Sequence, residues 1–300
     1  MRAEIDILCK SQMYEAMADR LLQWRQQARQ QATKTSVATG EVDLLLQAYC
    51  GWTSLDRALG RPPTQPVDWG KLTHLWEQRW RDRIPLQYLC GSVGWRQLKL
   101  QVTPDVLIPR PETELLVDVA ANWLHDRPAG LWADLGTGSG AIAIGLACEV
   151  PDVRLLAVDL SHGALQVARA NIERYQLSDR IAILQGSWFE PLAPNAQLLQ
   201  GILSNPPYIP TAEIEQLQPE VRDREPRLAL DGGENGLKAI EHLVERAPGY
   251  LQPGGFWAIE VMQGQSAAVV ERLQRSQRYT AIQVHCDLEG VERAVSAQVR

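Results

Sequence analysis

The stretch Ser204-Asn205-Pro206-Pro207-Tyr208 combines residue types that suit chemistry on an amino group. It follows a short apolar run that predicts a buried strand. Its two consecutive prolines, which have a fixed φ and no N–H group, stop that strand sharply. The rigid bend presents the Asn205 amide, unpaired backbone carbonyls and the Tyr208 ring. These acceptors favour a ligand with an NH2 group, although a proline turn with a purely structural role has the same pattern.

A glycine-rich stretch, Asp134-Leu135-Gly136-Thr137-Gly138-Ser139-Gly140, follows one predicted strand and opens a predicted helix. Its glycines permit a tight turn and let the backbone approach a ligand closely. Asp159 ends the next predicted strand, where a carboxylate can accept hydrogen bonds from both hydroxyls of a ribose. NAD would place a pyrophosphate at the helix N-terminus, whereas Asp134 suits a ligand with an ammonium group and no phosphates. The loop resembles motif I of S-adenosylmethionine-dependent methyltransferases.

Alternating strands and helices place both stretches at strand ends. Apolar runs and turn residues predict strands over 131–135, 153–159, 181–184, 201–204 and 256–261, the last one after the turn Pro253-Gly254-Gly255, and helices over 115–124, 141–149, 161–175 and 237–247. Two final strand-like runs, 280–286 and 291–299, are joined without a helix. This order predicts an α/β fold in which a doubly wound parallel sheet is closed by an antiparallel strand pair.

The first hundred residues have a different pattern, dominated by helical periodicity. Helices are predicted over 14–29, 41–49, 54–59 and 69–83, and six of the ten tryptophans fall in this part, where they suit core anchors. Residues 88–95 and 98–102 alternate like two strands around a turn and predict a β-hairpin. We therefore expect a small N-terminal helical domain over 1–84, in which 1–13 form a candidate extension. A β-hairpin linker over 85–107 and a second domain over 108–300 follow.

Charge and composition bear on the functional class. Residues 1–100 carry 14 Lys and Arg against 10 Asp and Glu, whereas residues 101–300 carry 16 against 26. Phosphate contacts dominate nucleic-acid affinity, so the acidic second part disfavours DNA or RNA as the substrate. Five scattered cysteines and five histidines without ligand spacing predict reduced thiols and no metal site. The acidic N-terminus and the absence of a long apolar run predict a cytoplasmic protein without a membrane partner, and we expect a monomer.

Four stretches taken together resemble the release factor glutamine methyltransferase family. They are I-P-R-P-E-T-E at 108–114, D-L-G-T-G-S-G at 134–140, S-N-P-P-Y-I at 204–209 and E-P-R-L-A-L-D-G-G-E-N-G-L at 225–237. Residues 85–91 are similar to that family's interdomain segment. The resemblance implies an N-terminal helical bundle followed by a Rossmann-like methyltransferase sheet, with S-adenosylmethionine as the cofactor. It also implies methylation of the glutamine in the GGQ motif of bacterial-type peptide chain release factors. The basic surplus of the helical domain and its attachment through a hairpin predict that this domain recognises the protein substrate.

The resemblance further implies roles for individual residues. The implied cofactor contacts, with the glycines against the methionine part and Asp159 on the ribose, are Asp134, Gly136, Thr137, Gly138, Gly140, Asp159, Ser187, Trp188 and Asn205. The implied substrate contacts are Asn205, Pro206, Pro207 and Tyr208, of which Asn205, Pro206 and Tyr208 are the catalytic residues. The chain departs from the family pattern at two positions. Ser187 stands where an acid often binds the adenine amine, which leaves Trp188 as the main adenine contact, and Arg224 stands where an aromatic residue is common.

Three other functions fit part of the pattern. An amino-methyltransferase acting on adenine in DNA or RNA would use the same acceptor bend against a planar NH2 group, but it needs base flipping and a basic channel. A catalytically silent adaptor that binds the cofactor would have a broken loop or a replaced Asn205, and neither is present. A dehydrogenase fits least. The fold alone does not decide among these functions.

Overall fold

A computed structural model describes residues 2–192 and 199–300, with side chains in the first helix described from residue 16 onward. The chain divides into two units, Met1–Cys90 and Gly91–Arg300. In the described residues, the first unit has one cluster of buried apolar side chains and the second has two. Within the described ranges, no helix is both long and apolar enough to cross a membrane.

The described residues of the first unit form five helices. They are α1 (Arg2–Lys34), α2 (Gly40–Cys50), α3 (Ser54–Ala58), α4 (Trp69–Trp80) and α5 (Leu86–Cys90). Thr53 begins α3 with a capping box, and the Asp68 side chain caps α4. The core of the unit contains Trp52 and Trp76, which are almost fully buried. Tryptophans therefore do anchor this small core, as their density in the sequence predicts.

The second unit contains a hairpin, a seven-stranded sheet and six helices in its described residues. In chain order its elements are β1 (Ser92–Trp95), β2 (Leu98–Gln101), α6 (Glu114–Leu124), β3 (Leu131–Leu135), α7 (Ala141–Glu149), β4 (Arg154–Asp159), α8 (His162–Arg174), β5 (Ile181–Gln185), β6 (Leu199–Ser204), α9 (Pro219–Arg222), α10 (Lys238–Arg246), β7 (Leu251–Glu260), α11 (Ser266–Ser276), β8 (Tyr279–Cys286) and β9 (Glu292–Val299). Strands β3 to β7 are parallel, and β9 pairs antiparallel with both β7 and β8. The predicted doubly wound sheet with an antiparallel end is confirmed.

The strand order of the sheet brings the two sequence motifs together. The order is β5-β4-β3-β6-β7-β9-β8, so the direction of winding reverses between β3 and β6. Ligands of open α/β sheets bind outside the carboxyl ends of strands at such a reversal. The glycine-rich loop leaves β3 there and the proline bend leaves β6. The Ser204 hydroxyl joins the two strand ends by donating to the Leu135 carbonyl at 2.6 Å.

Helices cover both faces of the sheet. Helices α6, α7 and α8 contribute to one core cluster, which includes Trp132 of β3 and Trp95 of the hairpin. Helices α10 and α11 contribute to the other cluster, which includes Trp257 of β7. Strand β6 is buried along its whole length, as expected for a parallel strand covered on both sides. The bend at its end therefore projects from the most protected part of the sheet.

Several predicted elements differ from those observed. Residues 88–90 belong to helix α5 and not to a strand, because Pro85 precedes a helical turn that Gly91 ends with a φ of 67°. Strand β7 begins before the predicted turn at 253–255, which forms an irregularity inside the strand where the pairing with β6 shifts. Helix α11 was not predicted. Helix α1 is longer than the predicted 14–29 and continues back to Arg2.

Candidate active site

A cavity of about 340 Å³ lies at the carboxyl ends of the parallel strands. Its walls come from the loops that follow β3, β4, β5 and β6, together with the segment before α6 and a loop before α10. The residues that line it are Pro104, Asp105, Val106, Leu107, Pro109, Thr113, Gly136, Thr137, Gly138, Ser139, Ala141, Ile142, Asp159, Leu160, Ser161, Ala164, Gly186, Ser187, Trp188, Asn205, Pro207, Pro226, Leu228 and Ala229. The predicted cofactor loop and the predicted substrate bend thus share one cavity.

The glycine-rich loop leaves β3 in a conformation that favours glycine. Gly136, Gly138 and Gly140 have φ values of 77°, 55° and 84°, a region that other residues rarely adopt. The Gly136 and Thr137 N–H groups donate to the Val158 carbonyl of β4, each at 2.9 Å, which fixes the loop. A Cβ placed at Gly136 would lie 3.4 Å from the Trp188 ring. The loop and this ring therefore approach each other closely on one side of the cavity.

Asp134 is a buried carboxylate behind this loop. Its Oδ2 accepts hydrogen bonds from the Thr137 hydroxyl at 2.5 Å and from the Ala143 N–H at 3.2 Å. Its Oδ1 has no hydrogen-bond partner within the described residues. Burial raises the pKa of Asp134 to about 7, against the hydrogen bonds from Thr137 and Ala143 that lower it. An unsatisfied buried oxygen of this kind fits the ammonium group of S-adenosylmethionine.

Asp159, at the end of β4, is held by backbone donors. Its two oxygens accept from the N–H groups of Gly138 and Ser161, both at 2.8 Å. Burial raises the pKa of Asp159, while these backbone hydrogen bonds lower it. The carboxylate lines the cavity and is fixed in orientation. Its position fits the predicted ribose contact, since carboxylate oxygens have further lone pairs for hydroxyl donors.

Ser187 and Trp188 follow β5 and both line the cavity. The Ser187 N–H donates to the Glu190 carboxylate at 3.1 Å, which tightens this loop. Trp188 has a φ of 51°, an uncommon conformation for a bulky residue. This conformation places its ring against Gly136. The ring therefore offers a flat apolar surface near the predicted ribose site, as a base contact requires.

A chain of hydrogen bonds holds the Asn205 amide from behind. The Asn205 Nδ2 donates to the Thr113 hydroxyl at 3.1 Å, and this hydroxyl donates to Glu260 Oε2 at 2.5 Å. The Tyr208 hydroxyl donates to the other oxygen, Oε1, at 2.9 Å. Burial raises the pKa of Glu260, against the donors Thr113 and Tyr208 that lower it. Three segments of the chain thus meet at the buried Glu260 carboxylate: the segment before α6, the proline bend and the end of β7.

Thr113 and Glu260 were not among the predicted site residues. Thr113 lies inside the stretch 108–114, which contributes to the family resemblance but implied no role for this residue. Glu260 ends β7, the neighbour of β6. Ligands of such sheets bind at the carboxyl ends of the strands, so the position of Glu260 at a strand end was the signal that could have identified it as a site residue.

Some predicted site residues lie outside the cavity lining of the described chain. They are Asp134, Gly140, Pro206 and Tyr208. Burial, with the nearby Glu260, raises the pKa of Tyr208 well above its usual value. Its hydroxyl therefore stays protonated and acts as a donor to Glu260. The structure places Tyr208 as a support of the bend.

The loop before α10 is packed against the proline bend. The Ile209 N–H donates to the Leu230 carbonyl at 3.0 Å, and the Gly232 N–H donates to the Ile209 carbonyl at 2.9 Å. A Cβ at Gly236, whose φ is 73°, would lie 2.2 Å from the Tyr208 carbonyl oxygen. The glycines of this loop therefore allow the close approach that fixes the backbone of the bend.

An ion pair ties the segment before α6 to the same loop. The Arg110 Nη2 donates to both oxygens of Glu225 at 2.7 Å. The Glu225 side chain is only 1% exposed, whereas the Arg110 side chain is 32% exposed, so the carboxylate is buried and the guanidinium remains in partial contact with water. Burial raises the pKa of Glu225, while the charge of Arg110 lowers it. Pro226, next to this carboxylate, lines the cavity, and the pair thereby holds one cavity wall.

The chain is similar to known methyltransferases. The family model described as methyltransferase small domain matches residues 112–219. A release factor glutamine methyltransferase of Synechocystis sp. is 47% identical over 92% of this chain and 95% of its own length. The enzyme of the same name from Gloeobacter violaceus is 47% identical over 91% of this chain and 94% of its own.

The fold has a counterpart among solved structures. The catalytic domain of hMettl16, solved in complex with the MAT2A 3'UTR hairpin 6, superposes with a TM-score of 0.52 and 16% identity over 76% of this chain and 80% of its own. This likeness supports the methyltransferase fold alone. The relatives at 47% identity extend over nearly the whole chain, and the resemblance inferred from the motifs is confirmed. The chain belongs to the release factor glutamine methyltransferase family.

Proposed function

We propose that this chain transfers a methyl group from S-adenosylmethionine to the side-chain amide nitrogen of the glutamine in the GGQ motif of bacterial-type peptide chain release factors. The observation that carries the proposal is the orientation of Asn205. This residue lines the cavity beside the glycine-rich loop, and its Nδ2 donates to Thr113. Its Oδ1 has no protein partner among the described residues. That oxygen is therefore available to a substrate NH2 group.

The chemistry of an amide explains why such an acceptor is needed. An amide nitrogen is a poor nucleophile because its lone pair is delocalised into the carbonyl. When the Asn205 Oδ1 and the Pro206 carbonyl accept from the NH2 group, the positive charge that develops on nitrogen meets fixed dipoles. The nitrogen loses its proton easily once it carries the methyl group, so the reaction needs no strong base. Tyr208, whose pKa is raised, is unsuited to that role.

Residues of this chain fit each part of the cofactor. The cofactor supplies a methyl group on a sulfonium, which is already a good leaving group. Asp159 would hold the ribose hydroxyls, and the free Oδ1 of Asp134 would accept from the ammonium group. Trp188, beside Gly136, would contact the adenine. Positioning the two reactants in line then supplies much of the rate enhancement.

The N-terminal helical domain, residues 1–84, is proposed to recognise the release factor. Residues 1–84 carry 12 Lys and Arg against 10 Asp and Glu, a small basic surplus. Exposed basic side chains in this part include Arg61, Lys71 and Arg81. Charge complementarity raises association rates and selects partners. On this proposal the protein acts as a cytoplasmic monomer and uses neither nucleic acid nor membrane as a partner.

A comparison of separate substrates tests the proposed function. The full chain is incubated with methyl-labelled S-adenosylmethionine and, separately, with a purified release factor, a release factor whose GGQ glutamine is replaced, DNA, RNA and free glutamine. We expect label only in the unaltered release factor. Label in DNA or RNA, with none in the release factor, would support the adenine-amine alternative instead.

A further inference from the structure

The Thr113 hydroxyl lies between a donor, the Asn205 amide nitrogen, and an acceptor, the Glu260 carboxylate. It is 3.1 Å from the Asn205 Nδ2 and 2.5 Å from Glu260 Oε2. A hydroxyl has one proton to donate and lone pairs to accept with. An O–H to carboxylate distance of about 2.5–2.7 Å is typical of a charge-assisted hydrogen bond. The Thr113 proton therefore points to Glu260, and only its lone pairs face residue 205.

The Glu260 end of this chain of hydrogen bonds is buried, and both oxygens of its carboxylate have partners. Glu260 is 3% exposed and Thr113 is 4% exposed. Glu260 Oε1 already accepts from the Tyr208 hydroxyl at 2.9 Å. Both Glu260 oxygens accept from a hydroxyl, and while this carboxylate is ionised it can only accept, which sets the direction of every bond in this chain of hydrogen bonds. Reversing one of them would leave a buried polar group unpaired, which is costly.

We infer that Thr113 and Glu260 are positioning residues that fix the Asn205 amide with its Nδ2 inward, leaving Oδ1 for the substrate, and that they make asparagine obligatory at position 205. This inference rests on the proposed function. An unsupported amide would present either its oxygen or its nitrogen after a flip about its terminal bond. With its nitrogen outward, the Asn205 amide would present a donor to the substrate NH2 group, which is also a donor, and no hydrogen bond would form.

The same network rejects a carboxylate at position 205. Asn205→Asp would place a second acceptor-only group against Thr113, whose single proton cannot serve two carboxylates. The defect should be repaired by Glu260→Gln in the same chain. Thr113 would then donate to the carboxylate at position 205, the introduced amide would donate to Thr113, and its carbonyl would accept from Tyr208. Every hydrogen bond is restored: the two bonds made by Thr113 run in the reversed direction, and the bond from Tyr208 keeps its direction.

A double-mutant cycle tests this inference. The wild type, Asn205→Asp, Glu260→Gln and the double variant are compared in single-turnover methylation of a release factor at saturating cofactor. We expect Asn205→Asp to lower the rate by about 10²–10³-fold and Glu260→Gln alone to lower it by about 10-fold. The double variant should be at least about 10-fold faster than Asn205→Asp. A double variant that is as slow as Asn205→Asp, or slower, overturns the inference.

A second pair of variants decides the question if Glu260→Gln fails to fold. Thr113→Ser keeps the hydroxyl and should retain near wild-type turnover, whereas Thr113→Val should lose about 10-fold in kcat with little change in KM. Equal rates for the two variants overturn the inference. The wild-type reaction is the reference throughout. Absence of wild-type labelling of the release factor overturns the proposed function and this inference with it, whereas wild-type labelling without rescue overturns the inference alone.

Discussion

At the residue scale, the site rests on three side chains with different tasks. Asn205 offers an amide oxygen whose direction is set by Thr113. Asp159 is a carboxylate fixed by two backbone donors at the cavity wall. Asp134 is buried behind the loop with one unsatisfied oxygen. Each of these oxygens would meet a donor on the cofactor or on the substrate, so each can be tested separately.

Asp159 should contribute to cofactor affinity. Asp159→Ala removes the carboxylate that is proposed to accept from the ribose, and a hydrogen bond to a charged group is worth about 1.5–3 kcal/mol. We therefore expect S-adenosylmethionine to bind roughly 10- to 100-fold more weakly, with the fold retained. Titration calorimetry measures this directly. Asp152→Ala, which alters an exposed acid before β4, serves as the control, and an effect of Asp159→Ala no larger than this control would contradict the ribose contact.

Asp134 should make cofactor binding depend on pH. Its pKa of about 7 means that the ionised form, which an ammonium group requires, is lost as the pH falls below neutrality. Between pH 7.5 and pH 6 the affinity should fall roughly 8-fold, following the ionised fraction. The raised pKa also means that the folded state holds an extra proton between about pH 4 and 7, so this group's contribution to stability falls as pH rises there.

The control for this prediction is Asp134→Asn, in which the side chain cannot ionise. Its cofactor affinity should be weaker than that of the wild type at pH 7.5 and nearly flat across the same range. A wild-type affinity that does not change between pH 7.5 and pH 6 would contradict the assignment of Asp134 to the ammonium group.

At the element scale, the site depends on what the chain does after each strand ends. The loops after β3 and β6 meet because the winding of the sheet reverses between these strands. The loop before α10 then fixes the bend through backbone hydrogen bonds to Ile209. The catalytic geometry therefore belongs to three segments that are far apart in sequence.

Gly236 offers a test of this packing. Gly236 and Gly254 have nearly equal φ values of 73° and 75°. A Cβ at Gly236 would lie 2.2 Å from the Tyr208 carbonyl oxygen, whereas a Cβ at Gly254 has no described atom within 4 Å. Gly254→Ala should cost only the left-handed backbone strain of about 1–2 kcal/mol. Gly236→Ala should destabilise the protein more and also lower turnover by about 10²-fold, because it displaces the bend.

Thermal unfolding and kcat of the two alanine variants measure the difference. Equal stability and equal turnover for the Gly236→Ala and Gly254→Ala proteins would show that the contact with Tyr208 does not hold the bend.

The elements themselves were largely predictable from the sequence, whereas contacts between elements were not. Both motifs, the parallel sheet and its antiparallel end follow from apolar runs and turn residues. Helix α5 was missed because the alternation over 88–95 outweighed the helix start and stop signals of Pro85 and Gly91. The partnership of Thr113 with Glu260 depends on the strand order, which pattern alone does not fix. The hydrogen bond from the Tyr208 hydroxyl to Glu260 was likewise not predicted, and the predicted contact of the Tyr208 ring with the substrate stays a prediction.

At the scale of the whole molecule, the chain has two units of different charge. Among the residues that the structure describes, the first unit forms helices and the second forms the sheet and the cavity. Each unit has its own buried core, so methyl transfer and recognition of a protein substrate can reside in different units. On the proposed function the second unit holds the cofactor, and the first selects the release factor.

Removal of the first unit tests this division of tasks. A chain that begins at Gly91, the first residue of the second unit, should bind S-adenosylmethionine with unchanged affinity. It should lose most of its kcat/KM on intact release factor, because the contacts that select the protein are gone. Calorimetry and steady-state methylation provide the two readouts. Full activity of the shortened chain on intact release factor would refute a recognition role for the helical unit.

The most direct test of the central claim is single-turnover methylation of a release factor by Asn205→Ala, with the methylated residue located by mass spectrometry. The wild type should place one methyl group on the GGQ glutamine. Asn205→Ala should do so about 10²–10³-fold more slowly while binding the cofactor as tightly as the wild type, since the lost acceptor acts mainly in the transition state. A near wild-type rate for Asn205→Ala, or a wild-type methyl group on another residue, would contradict the account.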